Sequence, residues 1–257
     1  MVTYVFDGSF NGILTAIFEC FERKQSSVKL VSQDIYLTEM FGEVLTIFTD
    51  LQKSERVWNG LKAKLSKTSQ NQFYKAFLSE DAKVFQHLFD FARYIFNHPE
   101  GYSKNFGNEH VLAITQMAQK VHREKHRMEA FIRFQKGSDH LFYTIVNPDF
   151  NVLPLILAHF KNRYADQPWI IYDERRKYGM YYDLKSVHEI TFGFKPVGSS
   201  ELAMEPVVLD EKELLYSTLW KDYFNSTNIK ERKNMKLHIQ HVPKRYWRYL
   251  TEKNPDF

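Results

Sequence analysis

The sequence predicts a mixed α+β fold, with an N-terminal strand-turn-helix and helical region, a central β-β-α-β-β sheet of mixed or antiparallel strands, and C-terminal helices. Three observations predict it. Apolar residues recur at helical spacing through most of the first half of the chain. The pattern changes to alternation over Met128–Phe134 and Leu141–Val146, joined by Lys136-Gly137-Ser138-Asp139 as in a hairpin. The strands cluster instead of alternating regularly with helices, which points to a mixed or antiparallel sheet. The 257 residues suit one large domain over 1–257, with subregions 1–126, mainly helical, and 127–257, a sheet followed by a basic aromatic tail.

Taken in order, Thr3–Phe6 reads as a strand, Asp7-Gly8-Ser9 as a turn, and Phe10 onward as a helix carrying Ile13, Leu14, Ile17, Phe18 and Phe21. Val44–Thr49 is β-rich, and Asp50 is placed to cap a helix with Val57, Trp58, Leu61 and Leu65. Ser69 with Gln72 resembles a capping box, and Asp81 precedes the amphipathic run from Val84 to Phe96. His98-Pro99-Glu100-Gly101 ends that run, and a further helix is expected over Glu109–Lys125. Beyond the hairpin, Val152–Tyr164 is helical with Pro154 in its first turn, and Trp169–Tyr172 and Tyr178–Tyr182 form a second strand pair. Pro196–Ser200 is a loop or boundary, Glu211–Phe224 an aromatic helix, and the basic tail comes last.

Composition removes several classes of function. Apolar residues make up 44% and charged residues 26%, a globular balance. No stretch free of charge approaches the ~20 residues of a membrane-spanning helix, and Asp7 interrupts the opening apolar run with no basic segment before it. A cytoplasmic protein without membrane contact is the expectation. The single Cys20 excludes an internal disulfide, a multi-cysteine zinc site and an iron–sulfur cluster carried by this chain alone. It reads as a packing residue in the first helix. Neither phosphate-loop motif nor serine elbow occurs, so standard NTPase, dinucleotide and α/β-hydrolase readings fail. No cofactor is expected. The 16% aromatic share is either core or a stacking surface.

Charge is local. From Thr227 to Lys253 eight basic residues face only Glu231 and Glu252, an excess of +6 against +4 for the whole chain. Arg232, Lys233, Lys236, Lys244, Arg245 and Arg248, with Tyr246 and Trp247, form a nucleic-acid-binding candidate in which Tyr249 also interleaves, because cations beside aromatic faces track phosphates while stacking on bases. The competing reading is a solvated helix packed through Trp247 and Leu250. Asp7, Gly8, Ser9, Asn11 and Gly12 lie where a strand hands over to a helix and form a candidate anion site, unless Gly8 simply turns the chain and Ser9 caps. His122, Arg123, His126 and Arg127 form a second candidate patch. The two histidines lie one helical turn apart, but no recognised spacing unites them with other ligands, and no metal is expected.

Tyr4-Val5-Phe6-Asp7-Gly8-Ser9-Phe10-Asn11-Gly12, Arg56-Val57-Trp58-Asn59-Gly60-Leu61, His126-Arg127-Met128, Arg232-Lys233-Asn234 and Val242-Pro243-Lys244-Arg245-Tyr246-Trp247 together resemble a bacterial family described as DNA repair or DNA metabolism proteins. Its characteristic domain is of unknown function. The family is typically encoded beside a radical-SAM protein thought to repair or modify DNA, and some members continue into a uracil-DNA-glycosylase-like domain. This chain stops at Phe257, just after the Tyr-Trp motif, and so resembles the unfused form, without the activity of that extension. The resemblance implies an accessory subunit that binds DNA and presents it to the radical-SAM partner, since one cysteine cannot supply that partner's three-cysteine cluster motif. Two alternatives stand beside it: a stand-alone enzyme acting on a phosphodiester or nucleobase through Asp7, His122 or His126, and a protein-binding scaffold without DNA contact.

Overall fold

All five residues of Val2–Phe6 are buried, the mark of a strand covered on both faces, and this strand, β1, is central in its sheet. The computed structural model describes residues 1–37, 42–98, 101–138, 140–191, 210, 212–227 and 235–253. They form two compact units, Met1–Arg123 and Glu124–Phe257.

In the first unit, β1 is followed by α1 (Phe10–Glu22), β2 (Val28–Ser32), β3 (Glu43–Thr46), α2 (Leu51–Lys64), α3 (Lys67–Phe77), α4 (Ala82–Phe96) and α5 (Glu109–Phe131), the last crossing into the second unit's residues. Both β2 and β3 pair with β1 in parallel, in the order β2-β1-β3. β2 is a strand the apolar pattern did not single out. Its outer edge is closed by a side chain from α4: Gln86 accepts from Leu30 N–H (2.7 Å) and donates to Val28 C=O (3.1 Å), in place of a neighbouring strand. The helices start where short polar side chains stop the backbone N–H groups from going unpaired. Ser9, Asp50 and Asp81 all cap as expected, whereas α3 is capped by Ser66, whose Oγ accepts from Ser69 N–H, and not by Ser69. Much of the aromatic surplus is core here: the Phe10 ring meets Trp58, Phe73, Tyr74 and Phe77 edge-on at 5.1–6.0 Å.

The second unit holds β4 (Gln135–Lys136), β5 (Phe142–Val146), α6 (Leu153–Arg163), β6 (Trp169–Asp173), β7 (Tyr178–Tyr182), β8 (Val187–Ile190), α7 (Glu213–Thr227), α8 (Met235–His241) and a 3-10 turn, Lys244–Tyr249. Its sheet runs β4-β5-β6-β7-β8, with β5 and β6 parallel and the remaining pairs antiparallel, the mixed sheet that strand clustering anticipates. The helix α6 connects the parallel pair. Trp169 is fully buried against Phe134, Phe160 and Tyr182.

Two expectations are corrected. Met128–Phe134 is not a strand, because α5 continues to Phe131: Val121, Glu124, Met128 and Ile132 are all buried at helical spacing. The strand that pairs with β5 is only Gln135–Lys136. β8 adds a fifth strand to the four expected. The loop expected at Pro196–Ser200, Pro99 and Glu100 of the α4 stop, and Asp139 of the hairpin turn lie outside the described residues.

Second in β7, Gly179 stands opposite Tyr172, and an added Cβ would come within 2.9 Å of the Ile171 carbonyl oxygen and 3.2 Å of Tyr172 Cα. Backbone cannot yield as a side-chain tip can. Gly179→Ala should therefore lower stability by roughly 1–3 kcal/mol, as core overpacking does, read from a urea melt.

Candidate nucleic-acid interface

Parallel strands β5 and β6 end side by side at Val146 and Asp173, and each leads into a polar connection. After β5 comes the loop Asn147-Pro148-Asp149-Phe150-Asn151; after β6 comes the turn Asp173–Lys177 into β7. The carboxyl ends of parallel strands are a common location for ligand sites in open sheets, because the connections there diverge and leave backbone groups accessible.

Asp173 is fully buried and organises the turn. Its carboxylate accepts from Arg175 N–H (2.9 Å), Arg176 N–H (3.1 Å) and Arg176 Nη1 (2.8 Å). Both arginines then reach the loop: Arg175 Nη1 donates to Asp149 C=O (3.0 Å), and Arg176 donates to Pro148 C=O (3.2 Å) and Asp149 C=O (3.3 Å).

A second buried carboxylate, Glu124 on α5, is 2% exposed and gathers the C-terminal turn. Its Oε2 accepts from Arg245 Nη2 (2.7 Å) and from the Tyr246 hydroxyl, while its Oε1 accepts from Asp149 N–H (3.2 Å). Arg245 also pairs with the Asp149 carboxylate. Arg127 lies one turn along α5, its Nη1 3.4 Å from the Tyr246 hydroxyl and its guanidinium over that ring at 5.6 Å. Burial, followed by the neighbouring Glu124 carboxylate, pushes the Tyr246 phenol above its ordinary range, so the hydroxyl stays protonated and donates. Tyr249 completes the set: its oxygen accepts from Asn147 N–H (2.8 Å) and from Arg248 Nη2 (2.8 Å).

Four arginines thus meet around one five-residue loop, Arg175, Arg176 and Arg245 directly and Arg248 through Tyr249, and Arg127 joins them through Tyr246 and Glu124. Arg175, Arg248, Lys177 and Lys244 are exposed, and Arg245 is 43% exposed, whereas Glu124 and Asp173 are sealed beneath them. Asp173 fixes Arg176 and Glu124 fixes Arg245, while the Asp149 carbonyl and the Tyr249 hydroxyl hold Arg175 and Arg248; outside, the exposed Lys and Arg side chains outnumber the exposed carboxylates of Asp149 and Glu174. Guanidinium groups fixed in this way are preorganised for phosphate oxygens.

The structure divides the sequence-derived candidates. Lys244, Arg245 and Arg248 belong to this surface, but Tyr246 is buried at 2% exposure and is a clamp for Glu124 and not a stacking platform. Trp247 is half-buried, with its Nε1 donating to Val242 C=O (3.0 Å). Lys236 is exposed on α8; Arg232 and Lys233 lie outside the described residues. Of the second patch only Arg127 joins the cluster. His122 and Arg123 are exposed in the first unit, with Lys75 Nζ 3.4 Å from His122 Nδ1, and His126 is 81% exposed, 3.9 Å from Glu129. Among the described residues no group of three or more His, Cys, Asp and Glu is placed to hold a metal ion. Cys20 is buried, and burial pushes its thiol up. Asp149, Asp173, Arg175 and Arg176 are the members that sequence patterns did not mark.

The opening turn of the first unit carries its own anion. Asp7 accepts from Ser9 N–H (2.9 Å) and from Thr49 Oγ1 (2.7 Å), and Ser9 Oγ accepts from Gly12 N–H (2.8 Å). A Cβ on Gly12 would lie 2.2 Å from Asp7 Oδ1, so glycine there makes room for the carboxylate. Gly8 turns the chain at φ +79°. An anion bound at this helix start would meet the Asp7 carboxylate first; Asp7, Ser9 and Gly12 form the helix cap, and Asn11 is exposed on the first turn of α1. Partial desolvation raises the Asp7 pKa, but hydrogen bonds from Thr49 and Ser9 outweigh it and hold the carboxyl below its ordinary 3.8. The ionised form therefore adds stability above pH 3.8, and that contribution is lost as the pH falls through the lower folded-state value. Ser9→Ala should cost about 1 kcal/mol at neutral pH, and Asp7→Asn should flatten the acid side of the stability profile, both read from melts between pH 2 and 7.

A serine, a histidine and an aspartate also meet at the β7–β8 turn, where Ser186 Oγ and Asp183 Oδ2 both approach His188 Nε2, at 2.8 and 3.1 Å. A proton relay needs the two ring nitrogens to face different partners. Here one nitrogen takes both, and Asp183 is committed to the N–H groups of Lys185 and Ser186, whose hydrogen bonds hold its carboxyl far below the usual range. This is a turn and not a nucleophile site.

A family model described as a domain of unknown function, DUF4130, matches residues 82–252, a span that contains every member of the arginine cluster. No curated protein and no solved structure matches the chain.

Proposed function

We propose that this chain, which belongs to the DUF4130 family of domains of unknown function, binds the phosphate backbone of nucleic acid through the arginine cluster of its second unit and serves as an accessory subunit to a radical-SAM enzyme. The observation that carries this reading is the convergence of Arg175, Arg176, Arg245 and Arg248 on the Asn147–Asn151 loop, with Arg127 joined through Tyr246 and Glu124, over two sealed carboxylates. Fixed guanidinium groups with exposed lysines beside them suit a repeating anion better than a single small acid. Such contacts position a nucleic acid without reading its sequence.

Two features of the chain support the accessory role. Its only cysteine is buried in α1, so a cysteine-ligated iron–sulfur cluster must come from elsewhere. The motif set that resembles bacterial DNA repair or DNA metabolism proteins encoded beside radical-SAM proteins includes Arg127, Lys244 and Arg245 of the cluster. The proposal places the complex in the bacterial cytoplasm; no helix among the described residues is long and apolar enough to cross a membrane.

The test is a fluorescence-anisotropy titration of labelled single-stranded DNA, duplex DNA and RNA across a salt series, with and without the partner. Backbone binding predicts saturable binding that weakens linearly in log–log coordinates, with a slope of roughly −0.7 to −0.9 per phosphate contact. Salt-independent binding, or none to any of the three polymers, would contradict it.

A further inference from the structure

The second unit contains a groove of about 560 Å³, lined by the end of α5 with the residues after it, by α6 and by α7, and none of the arginine-cluster residues lines it. Its size falls within the usual range for small-molecule sites. One side is an aromatic platform. The half-buried Tyr164 ring lies parallel within 7° to the buried Phe160 ring at 6.2 Å, and half-buried Phe134 meets both edge-on at 5.3 and 5.5 Å, so that Phe134 and Tyr164 form the accessible part and Phe160 supports them. Trp169, fully buried, lies against Phe134 and Phe160 and backs the platform. From α7 come Tyr216 and Trp220, four residues and one helical turn apart, 54% and 42% exposed, with the Trp220 indole N–H held by Glu252 at 2.8 Å.

The charges in this groove balance, and all four are engaged. Arg133 donates to the carbonyls of Ala130 (2.8 Å) and Ile132 (3.1 Å); Glu129 pairs with Lys125 (2.7 Å); Glu213 accepts from Lys136 N–H (3.3 Å). Arg163 Nε donates to the Tyr164 hydroxyl at 3.4 Å, with the guanidinium beside that ring at 5.7 Å. A phosphate entering here meets carboxylates as well as guanidinium groups. A flat, uncharged heterocycle instead finds exposed aromatic faces to stack on and polar groups at its edges.

We infer that this groove receives a single unstacked nucleobase of the bound strand, between the half-buried Phe134 and Tyr164 rings and the Tyr216–Trp220 pair. The inference rests on the nucleic-acid reading and extends it: one part of the unit holds phosphates, and another holds a base drawn out of its stack, an arrangement used wherever a base must be presented for chemistry.

The test uses two probes, 2-aminopurine riboside and a single-stranded thymidine oligonucleotide with one central 2-aminopurine, whose fluorescence is quenched on stacking. The Tyr216→Ala, Trp220→Ala double variant removes two exposed rings, and circular dichroism checks that it remains folded. Wild type should quench both probes saturably. The double variant should abolish the quenching and weaken oligonucleotide binding by roughly 5- to 100-fold, the loss of one stacked base, while leaving the salt slope unchanged. Undiminished quenching in the folded double variant would overturn the inference. So would an absence of quenching in wild type when anisotropy reports a saturated oligonucleotide complex, an outcome that leaves the phosphate-binding reading intact. Quenching of the riboside that depends on Tyr216 and Trp220, without any oligonucleotide binding, would keep the groove as a base site and remove the nucleic-acid reading. If neither probe binds, both fall.

Discussion

Arg245→Ala should destabilise the 124–257 unit by roughly 2–4 kcal/mol, because it leaves the Glu124 carboxylate buried without its cation. Glu124 is 2% exposed, and its remaining donors, the Tyr246 hydroxyl and Asp149 N–H, are neutral. The cost stays below that of a fully buried pair because Arg245 itself is 43% exposed and Asp149 returns to water when the guanidinium is removed. Adding Glu124→Gln to Arg245→Ala should recover part of the loss, since an amide tolerates burial without a counter-charge; urea melts of the four-member cycle measure it. Tyr246 supplies a pH signature. Its folded-state pKa is raised, first by burial and then by Glu124, so its contribution is complete below the ordinary phenol value of 10.0 and is lost as the pH climbs from there toward the folded value. Tyr246→Phe should remove that alkaline decline.

The second large effect concerns binding. Arg175, Lys244 and Arg248 are exposed and hold no buried carboxylate, so their simultaneous replacement by alanine should leave the fold intact. If each meets a phosphate, the salt slope on duplex DNA should fall in magnitude by roughly 2.7, or 0.9 per contact, for every sequence tried. At low salt the affinity should fall by roughly tenfold per lost charge-assisted contact. Arg245 is left out of this variant because its loss would confound binding with the stability of the Glu124 cluster. Anisotropy over a salt series, with a thermal melt as the folding control, reads both quantities.

The fold was legible where the signal is local. Ser9, Asp50 and Asp81 cap because a short polar side chain meets N–H groups two or three residues on, a relation written in adjacent sequence. α5 was misread past Lys125 for the opposite reason. Its buried stripe runs Val121, Glu124, Met128 and Ile132, and the one charged member breaks the apolar period and lets Met128–Phe134 pass for alternation. That break coincides with the candidate site: a carboxylate where the stripe calls for an apolar residue is a local inconsistency of the kind function produces. The excess of charge in the tail was equally legible, but not its division of labour. Composition cannot tell that Tyr246 turns inward to Glu124 while Lys244 and Arg248 stay outside. Arg175 and Arg176 carried no signal at all, because they become neighbours of Arg245 only through the parallel pairing of β5 with β6.

The claim that the arginine cluster is the nucleic-acid surface is tested most directly by locating a bound strand. Photo-crosslinking of a saturating oligonucleotide to the wild-type protein, followed by peptide mapping, should mark the turn at 174–177 and the segment 244–249, with the 147–151 loop beside them. Crosslinks confined to residues 1–123 would contradict the account.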